Sequence, residues 1–447
     1  MWVRKTRVGE LAGRVVASFR GAGDVPVFWR GMEMFQNKTV AADDPRLASV
    51  YDNFRRNLVD ICGIARRAHT PAVLSTVAVN LRDCPPFASL HRPGLAPDKL
   101  AEWESAYRSG GELEAAGRLR DAIPQYEAAA KSDDRFAEVQ FRLGQCLLKD
   151  ERRAEAQPRF ELARDLDALR FRAYSRINCI IREVAAKQAD AGVRLADAAL
   201  MPVRNNPGDG EISDGDLFYE HVHLTFDGNY RLARVVLDEV CAALPKLGGS
   251  ENQGVVPSRR RCAELLALTP WDESQMAETM AGMTSKAPFA GQLDHGFRQA
   301  EACRRRDELR KLASAPEAMQ AAWRTYETAL AAAPDDGRLH HQFGRFAMQY
   351  GRFGTAVEHL QLAAGYLSWD SSMHNDFGVA LSGQGQGEEA IAHFRKALEL
   401  NPTFKRARIR LHRAAAKDEV HPRAGVEIAQ RNRIGHHRRD LARLVAR

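Results

Sequence analysis

The sequence is poor in features that would fix its class at a glance, and each gap excludes something. Its seven cysteines, at 62, 84, 146, 179, 241, 262 and 303, are scattered and never form a Cys-x-x-Cys pair. That excludes a zinc ribbon and a disulfide framework. Long apolar runs are absent: residues 71–79, broken by Ser75 and Thr76, are far too short to span a bilayer. No apolar leader core follows Met1, so the expectation is a chain without an export signal of its own. Net charge is scarce outside one end. Of the formal +7, residues 421–447 carry +5, with seven Arg against Glu427 and Asp440. The remainder has no electrostatic footprint for nucleic acid, and the tail reads as a solvated, disordered terminus. Residues 3–20, with Val3, Val8, Leu11, Val15 and Val16 among Arg and Lys, read as a surface helix.

What is present is the balance of a folded, water-soluble protein: 447 residues, 45% hydrophobic and 28% charged, enough for two or three domains. Self-similarity organises much of it. Ala322, Tyr326 and Ala329 recur 34 residues later as Ala356, Leu360 and Ala363, and again as Ala390, Phe394 and Ala397. Gly344 matches Gly378 and Gly351 matches Gly385, while Pro334 and Pro402 close the first and third units and Ser368 the second. Upstream, Ala122, Tyr126 and Ala129 are followed at the same step by Ala156, Phe160 and Ala163, with Gly110 matched by Gly144.

Small residues at a fixed interval let two helices cross closely, a large one at a fixed offset fills a groove, and Pro stops the second helix. These five units resemble the tetratricopeptide repeat. The resemblance implies antiparallel helix pairs, the large residue of each filling the groove of the next pair, and a concave face for a protein or peptide ligand.

Between and before the repeats the pattern changes. Residues 52–67 carry Phe54, Leu58, Ile61 and Ile64 at helical spacing, and 72–79 read as a buried parallel strand. Polar residues crowd its carboxyl end: Asn80, Arg82 and Asp83, then Pro85, Pro86 and Phe87. Later, residues 170–182 open a helix rich in Arg and Asn, and Glu220, His221, Val222, His223, Thr225 and Gly228 lead into another over 231–244. This Glu-x-x-His block, together with the strand-loop of Thr76, Asn80, Asp83, Pro85 and Pro86, resembles the SGNH (GDSL-like) hydrolases over residues 31–245.

The resemblance implies a flavodoxin-like α/β domain in which His223 is the general base, Glu220 orients it, and Asn80 and Asp83 line the substrate site. It implies an ester or acyl-glycan substrate and, from exported relatives, a membrane-anchored extracytoplasmic setting. Glu replaces the family's usual Asp at 220. The family's Gly-Asp-Ser-like nucleophile block has no counterpart in 1–57, which hold no Gly-x-Ser and no Gly-Asn-Asn. The expectation is therefore an incomplete, inactive hydrolase domain, either truncated or mis-started.

Other groupings read more simply. His221 and His223 share a strand face but lack a third metal ligand, so no metal and no cofactor is expected. Ser75 reads as a structural strand residue, His340 and His341 as residues of a solvated or concave face, and Trp323 with Tyr326 as core. The Arg clusters at 259–261 and 304–306 read as helix faces.

The expected organisation is a partial α/β domain over 1–100 and 169–245, two repeats inserted at 101–168, a helical linker over 246–315, three repeats over 316–417, and a basic tail over 418–447. The reading is a repeat-based interaction scaffold carrying a truncated hydrolase domain, with no membrane span. The alternative is a serine esterase or deacetylase of the SGNH class, if the missing Ser block exists in the native gene. An incomplete sheet leaves an edge open to dimerisation.

Overall fold

A computed structural model describes residues 31–201, 217–244 and 256–416. The amphipathic amino-terminal stretch and the basic tail from 418 lie outside them. The chain divides into two compact units, one of residues 35–367 and one of 1–34 with 368–447.

The first unit is chiefly helical. Two hairpins, α2 (Pro97–Ala115) with α3 (Leu119–Ser132) and α4 (Ala137–Lys149) with α5 (Arg153–Leu166), follow α1 (Arg46–Arg67) and β1 (Ala72–Ser75). On α3, Ala122, Tyr126 and Ala129 are all fully buried, as the i, i+4, i+7 spacing requires. The glycines explain the close crossing. A Cβ on Gly110 would stand 2.8 Å from Tyr126 Cε1, and one on Gly144 3.0 Å from Phe160 Cε1. The large residue thus fills the space over the glycine of its own hairpin, which corrects the expectation that it fills the groove of the next pair. The turn inside each hairpin needs a left-handed residue: Gly117 has φ 74°, and 34 residues on Glu151 has φ 64°.

The α/β part is smaller than expected. β1 pairs in parallel with β2 (Val193–Ala196), Ala72 opposite Val193 and Ser75 opposite Ala196. Helices α6 (Ser175–Lys187) and α7 (Phe226–Ala243) pack on this pair and α1 packs on α6, burying Cys62, Leu74, Ile180, Ile181 and Val184. Among the described residues this two-stranded ladder is the sheet, and the larger parallel sheet expected of a flavodoxin-like domain is not seen among them.

The expected strand over 72–79 is regular only as far as Ser75, although Thr76 N still donates to Ala196 O (3.1 Å) and side chains meet the chain beyond it. Thr76 Oγ1 donates to Asp197 Oδ1 (2.7 Å), and Asn178 accepts from Val77 N (2.8 Å) and donates to Val77 O (3.0 Å). An amide side chain here does what a third strand would.

The segment expected as a linker holds α8 (Arg259–Leu265), α9 (Pro270–Thr284) and α10 (His295–Ala313). A reciprocal Thr269–Asp272 capping box starts α9. Trp271 and Ala313 share a core with Tyr326, Phe343 and Phe346 of α11 (Pro316–Ala332) and α12 (Gly337–Gln349). Tyr326 stacks on Phe343 at 5.1 Å and donates its hydroxyl to Asp272 Oδ1 at 2.6 Å. Helix α13 (Phe353–Tyr366) completes the unit, with Leu360 beneath Gly344 as in the upstream hairpins.

His340 corrects an expectation: it is buried rather than on an open face. Its Nε2 donates to Pro334 O (2.9 Å), and its Nδ1 meets His359 Nδ1 (2.8 Å).

In the second unit, α14 (Ser371–Gln384) and α15 (Gly387–Leu400) form a hairpin, followed by α16 over 405–416. Gly378 sits under Phe394, Gly385 takes φ 89°, and His374 meets His393 Nδ1 to Nδ1 at 3.0 Å. Among the described residues, no helix is long and apolar enough to cross a membrane.

Candidate functional site

The Glu-x-x-His block lies on a tight loop over 217–225. Phe218 and Leu224 form an antiparallel bridge, and Tyr219 N donates to His223 O at 2.8 Å. Thr225 caps α7 through Gly228 N (3.2 Å), and a side chain on Gly228 would run into the Leu217 carbonyl.

This turn folds Glu220 under its own backbone. Its Oε2 accepts from His221 N (2.5 Å) and Val222 N (3.4 Å), and its Oε1 from His223 N (2.8 Å). His223 Nδ1 is hydrogen-bonded to the same Oε1. A carboxylate only accepts, so Nδ1 carries the proton of this bond. The Glu220 side chain is 4% exposed and that of His223 56%, a buried carboxylate holding an outward imidazole.

His221 points the other way, into a box of Phe87 (5.3 Å) and Phe289 (5.4 Å). Burial, with the Arg172 charge adding to it, pushes its pKa down to about 3. Its Nδ1 abuts Glu220 Oε2 without hydrogen-bond alignment. Both imidazoles therefore address one carboxylate. Among the described residues no group of three or more His, Cys, Asp or Glu is disposed around a metal ion.

Asn80 is a buried pin. It donates Nδ2 to Glu220 O (3.0 Å) and accepts from Asp83 N at Oδ1 (2.9 Å), and its main-chain N–H reaches His221 O (3.0 Å). Both ends of the amide are engaged within the protein. Arg172 braces the loop by donating to Asn80 O (3.0 Å), Cys84 O (2.8 Å) and Asp167 Oδ2 (3.3 Å). Burial raises the pKa of Asp167 against the pull of Arg172 and three main-chain donors.

Asn80, Asp83 and Glu220 line a cleft of about 760 Å³ together with Arg298 and Arg305 of α10. His223 is not on its lining. Ser75 Oγ donates to Thr76 O (3.0 Å), and no serine hydroxyl is hydrogen-bonded to His223 among the described residues.

Sequence reading missed Asp167, Arg172 and Gln292. The Arg-rich start at 170–182 was the signal for Arg172. Gln292, which donates to Pro85 O at 2.6 Å, comes from the presumed linker and left no trace.

A tetratricopeptide repeat family model matches residues 371–404, the α14–α15 hairpin with its following turn. No curated protein matches the chain. Among solved structures, a mutant O-GlcNAc transferase of Thermobaculum terrenum is 30% identical over 23% of this chain and 20% of its own, with a TM-score of 0.21. The chain thus spans a fifth of that relative. MamA of Desulfovibrio magneticus RS-1 is 16% identical over 37% of this chain and 92% of its own, with a TM-score of 0.23. YrrB, described as a TPR protein with an unusual peptide-binding site, is 14% identical over 68% and 88%, with a TM-score of 0.20. Overlaps of this size carry nothing of function across. The chain carries a tetratricopeptide repeat at 371–404, and no comparison shows a hydrolase family.

Proposed function

We propose that the chain is a protein-interaction scaffold whose helical hairpins seat an extended segment of a protein partner. The observation that carries this reading is the glycine-under-large-residue crossing, recurring at the 34-residue step in Gly110–Tyr126, Gly144–Phe160, Gly344–Leu360 and Gly378–Phe394. Such crossings close each hairpin, and hairpins stacked in series leave a surface for ligands. The test is a screen of the full chain against a displayed peptide library. Saturable binding is expected, weakened by Arg338→Glu on the exposed side of α12. If no peptide binds at 100 μM, on the order of the weakest useful affinity, the scaffold reading falls.

A second reading is favoured by one observation, the Glu220–His223 pair. In it the region belongs to a serine ester hydrolase of the SGNH class, acting on acyl or glycan esters, with His223 as base and Glu220 as orienting acid. Asn80 and Asp83 then line the substrate site. Hydrolysis of p-nitrophenyl acetate separates the two readings. The scaffold predicts no turnover above background, whereas turnover abolished by His223→Ala would establish the hydrolase.

Dimerisation through the open outer edges of β1 and β2 belongs to the same proposal. Sedimentation as a monomer at every concentration would remove it.

A further inference from the structure

Residues 82–92 form no regular element, yet Cys84, Pro85, Pro86 and Phe87 are buried. The upstream hairpins meet the polar groups of this segment one after another. Arg82 O accepts from Gln145 Nε2 of α4 (2.5 Å). Phe87 N and Ala88 N donate to the two oxygens of Asp167 (3.0 and 3.1 Å), and Ala88 O accepts from Ala168 N (2.9 Å). Ser89 Oγ accepts from Glu138 N at the start of α4 (3.0 Å). Asp133, in the turn between α3 and α4, takes His91 Nδ1 (2.8 Å) and Arg92 N (3.3 Å). The His91 ring stands edge-on to Trp103 of α2 at 4.6 Å and lies beside Phe136.

The gripping residues come from both hairpins and the chain just after them. Asp133 and Asp167 are 0% and 2% exposed, and a buried carboxylate is costly unless it is hydrogen-bonded. Here the extended segment supplies many of those bonds. Main-chain groups held by side chains of stacked helices, with aromatic and imidazole anchors in pockets, is how such a surface reads a peptide.

We propose that the α2–α5 hairpins are a peptide groove whose ligand is the chain's own residues 82–92, so that this face is closed to partners while the segment is seated. The class of ligand it fits is an extended peptide with a Pro-Pro-aromatic start and a histidine four residues after the aromatic. The proposal is independent of the scaffold reading, because the groove is filled from within whether or not the downstream hairpins bind anything.

A fluorescent peptide of residues 80–93 tests it on the full chain and on a variant with 85–91 replaced by Gly and Ser at equal length. Saturable binding to the variant is expected, at least tenfold tighter than to the unaltered chain, and about tenfold weaker for a peptide carrying His91→Ala. A variant with unchanged helical circular dichroism that ignores the peptide overturns the proposal, as does equal binding by the unaltered chain. If the variant fails to fold, hydrogen exchange on the unaltered chain decides. The amides of Phe87, Ala88 and Arg92 should exchange as slowly as those of α4, and exchange at coil rates rejects the groove. None of these readouts depends on an external partner, so their failure leaves the scaffold reading standing.

Discussion

A methyl group is the smallest probe of the repeat. At Gly344 a Cβ would come within 2.6 Å of Leu360 Cγ, so Gly344→Ala should cost about 1–3 kcal/mol, read from urea denaturation. Gly282 in α9 has open space around its Cβ position, and Gly282→Ala should stabilise by about 0.5–1 kcal/mol. Glu151 takes a left-handed conformation that its repeat-mates Gly117, Gly351 and Gly385 fill without cost. Glu151→Gly should therefore raise stability by about 1 kcal/mol. The glycines and aromatics were legible because they recur. The meeting of His340 with His359 was not, since each histidine taken singly suits an exposed helix face.

Two half-buried histidines of the hairpins, His359 and His393, also set a pH response. Burial and the neighbouring imidazole hold His359 and His393 below the ordinary histidine pKa, with Glu358 opposing at His359. The folded chain thus binds fewer protons there than the unfolded chain. The stability this contributes is whole above the unfolded value of about 6.5 and drains away as pH falls through it toward the lower folded value. The melting temperature should be lower at pH 5 than at pH 7. The difference should shrink when His359→Gln and His393→Gln are combined, and an unchanged difference would count against the assignment.

At the scale of elements, the strand shows how far periodicity reaches. The apolar run over 72–79 announces buried extended chain, and β1 begins at Ala72 as read. Beyond Ser75 the Val77 backbone is met by the side-chain amide of Asn178, about a hundred residues away, a tertiary event no local pattern encodes. Removing that amide with Asn178→Ala leaves Val77 N and O unmet, a loss of about 1–3 kcal/mol that should appear in chemical denaturation and in faster exchange of the Val77 amide. The Glu220 loop was legible as residues, since Glu-x-x-His marks which carboxylate reaches which imidazole. Its brace by Arg172 and Asp167 joins segments whose proximity is set by the intervening hairpins.

At the scale of the whole molecule, the repeats gave the helical architecture at a reading, while the expected α/β domain reduced to two short strands and three helices. The stretch between the repeat blocks was the least readable. Its apolar residues, Trp271, Ala277, Ala281 and Phe289, are spread among polar ones and carry no repeat signature. Even so, α9 and α10 share a core with α11 and α12. A chain that folds this way should show coincident urea transitions for signals from Trp103 and Trp271, both within residues 35–367, and separated transitions would show that the unit is not cooperative.

The reach of Gln292 back to Pro85, with Phe289 against Phe87 at 5.2 Å, has a practical edge. Anyone trimming the gene to obtain the amino-terminal half would be tempted to stop near residue 245, where the sequence pauses. A product cut there lacks the stopper over its own aromatic box and leaves the Pro85 carbonyl without its amide. Expression boundaries drawn after Tyr366 keep that closure in one piece.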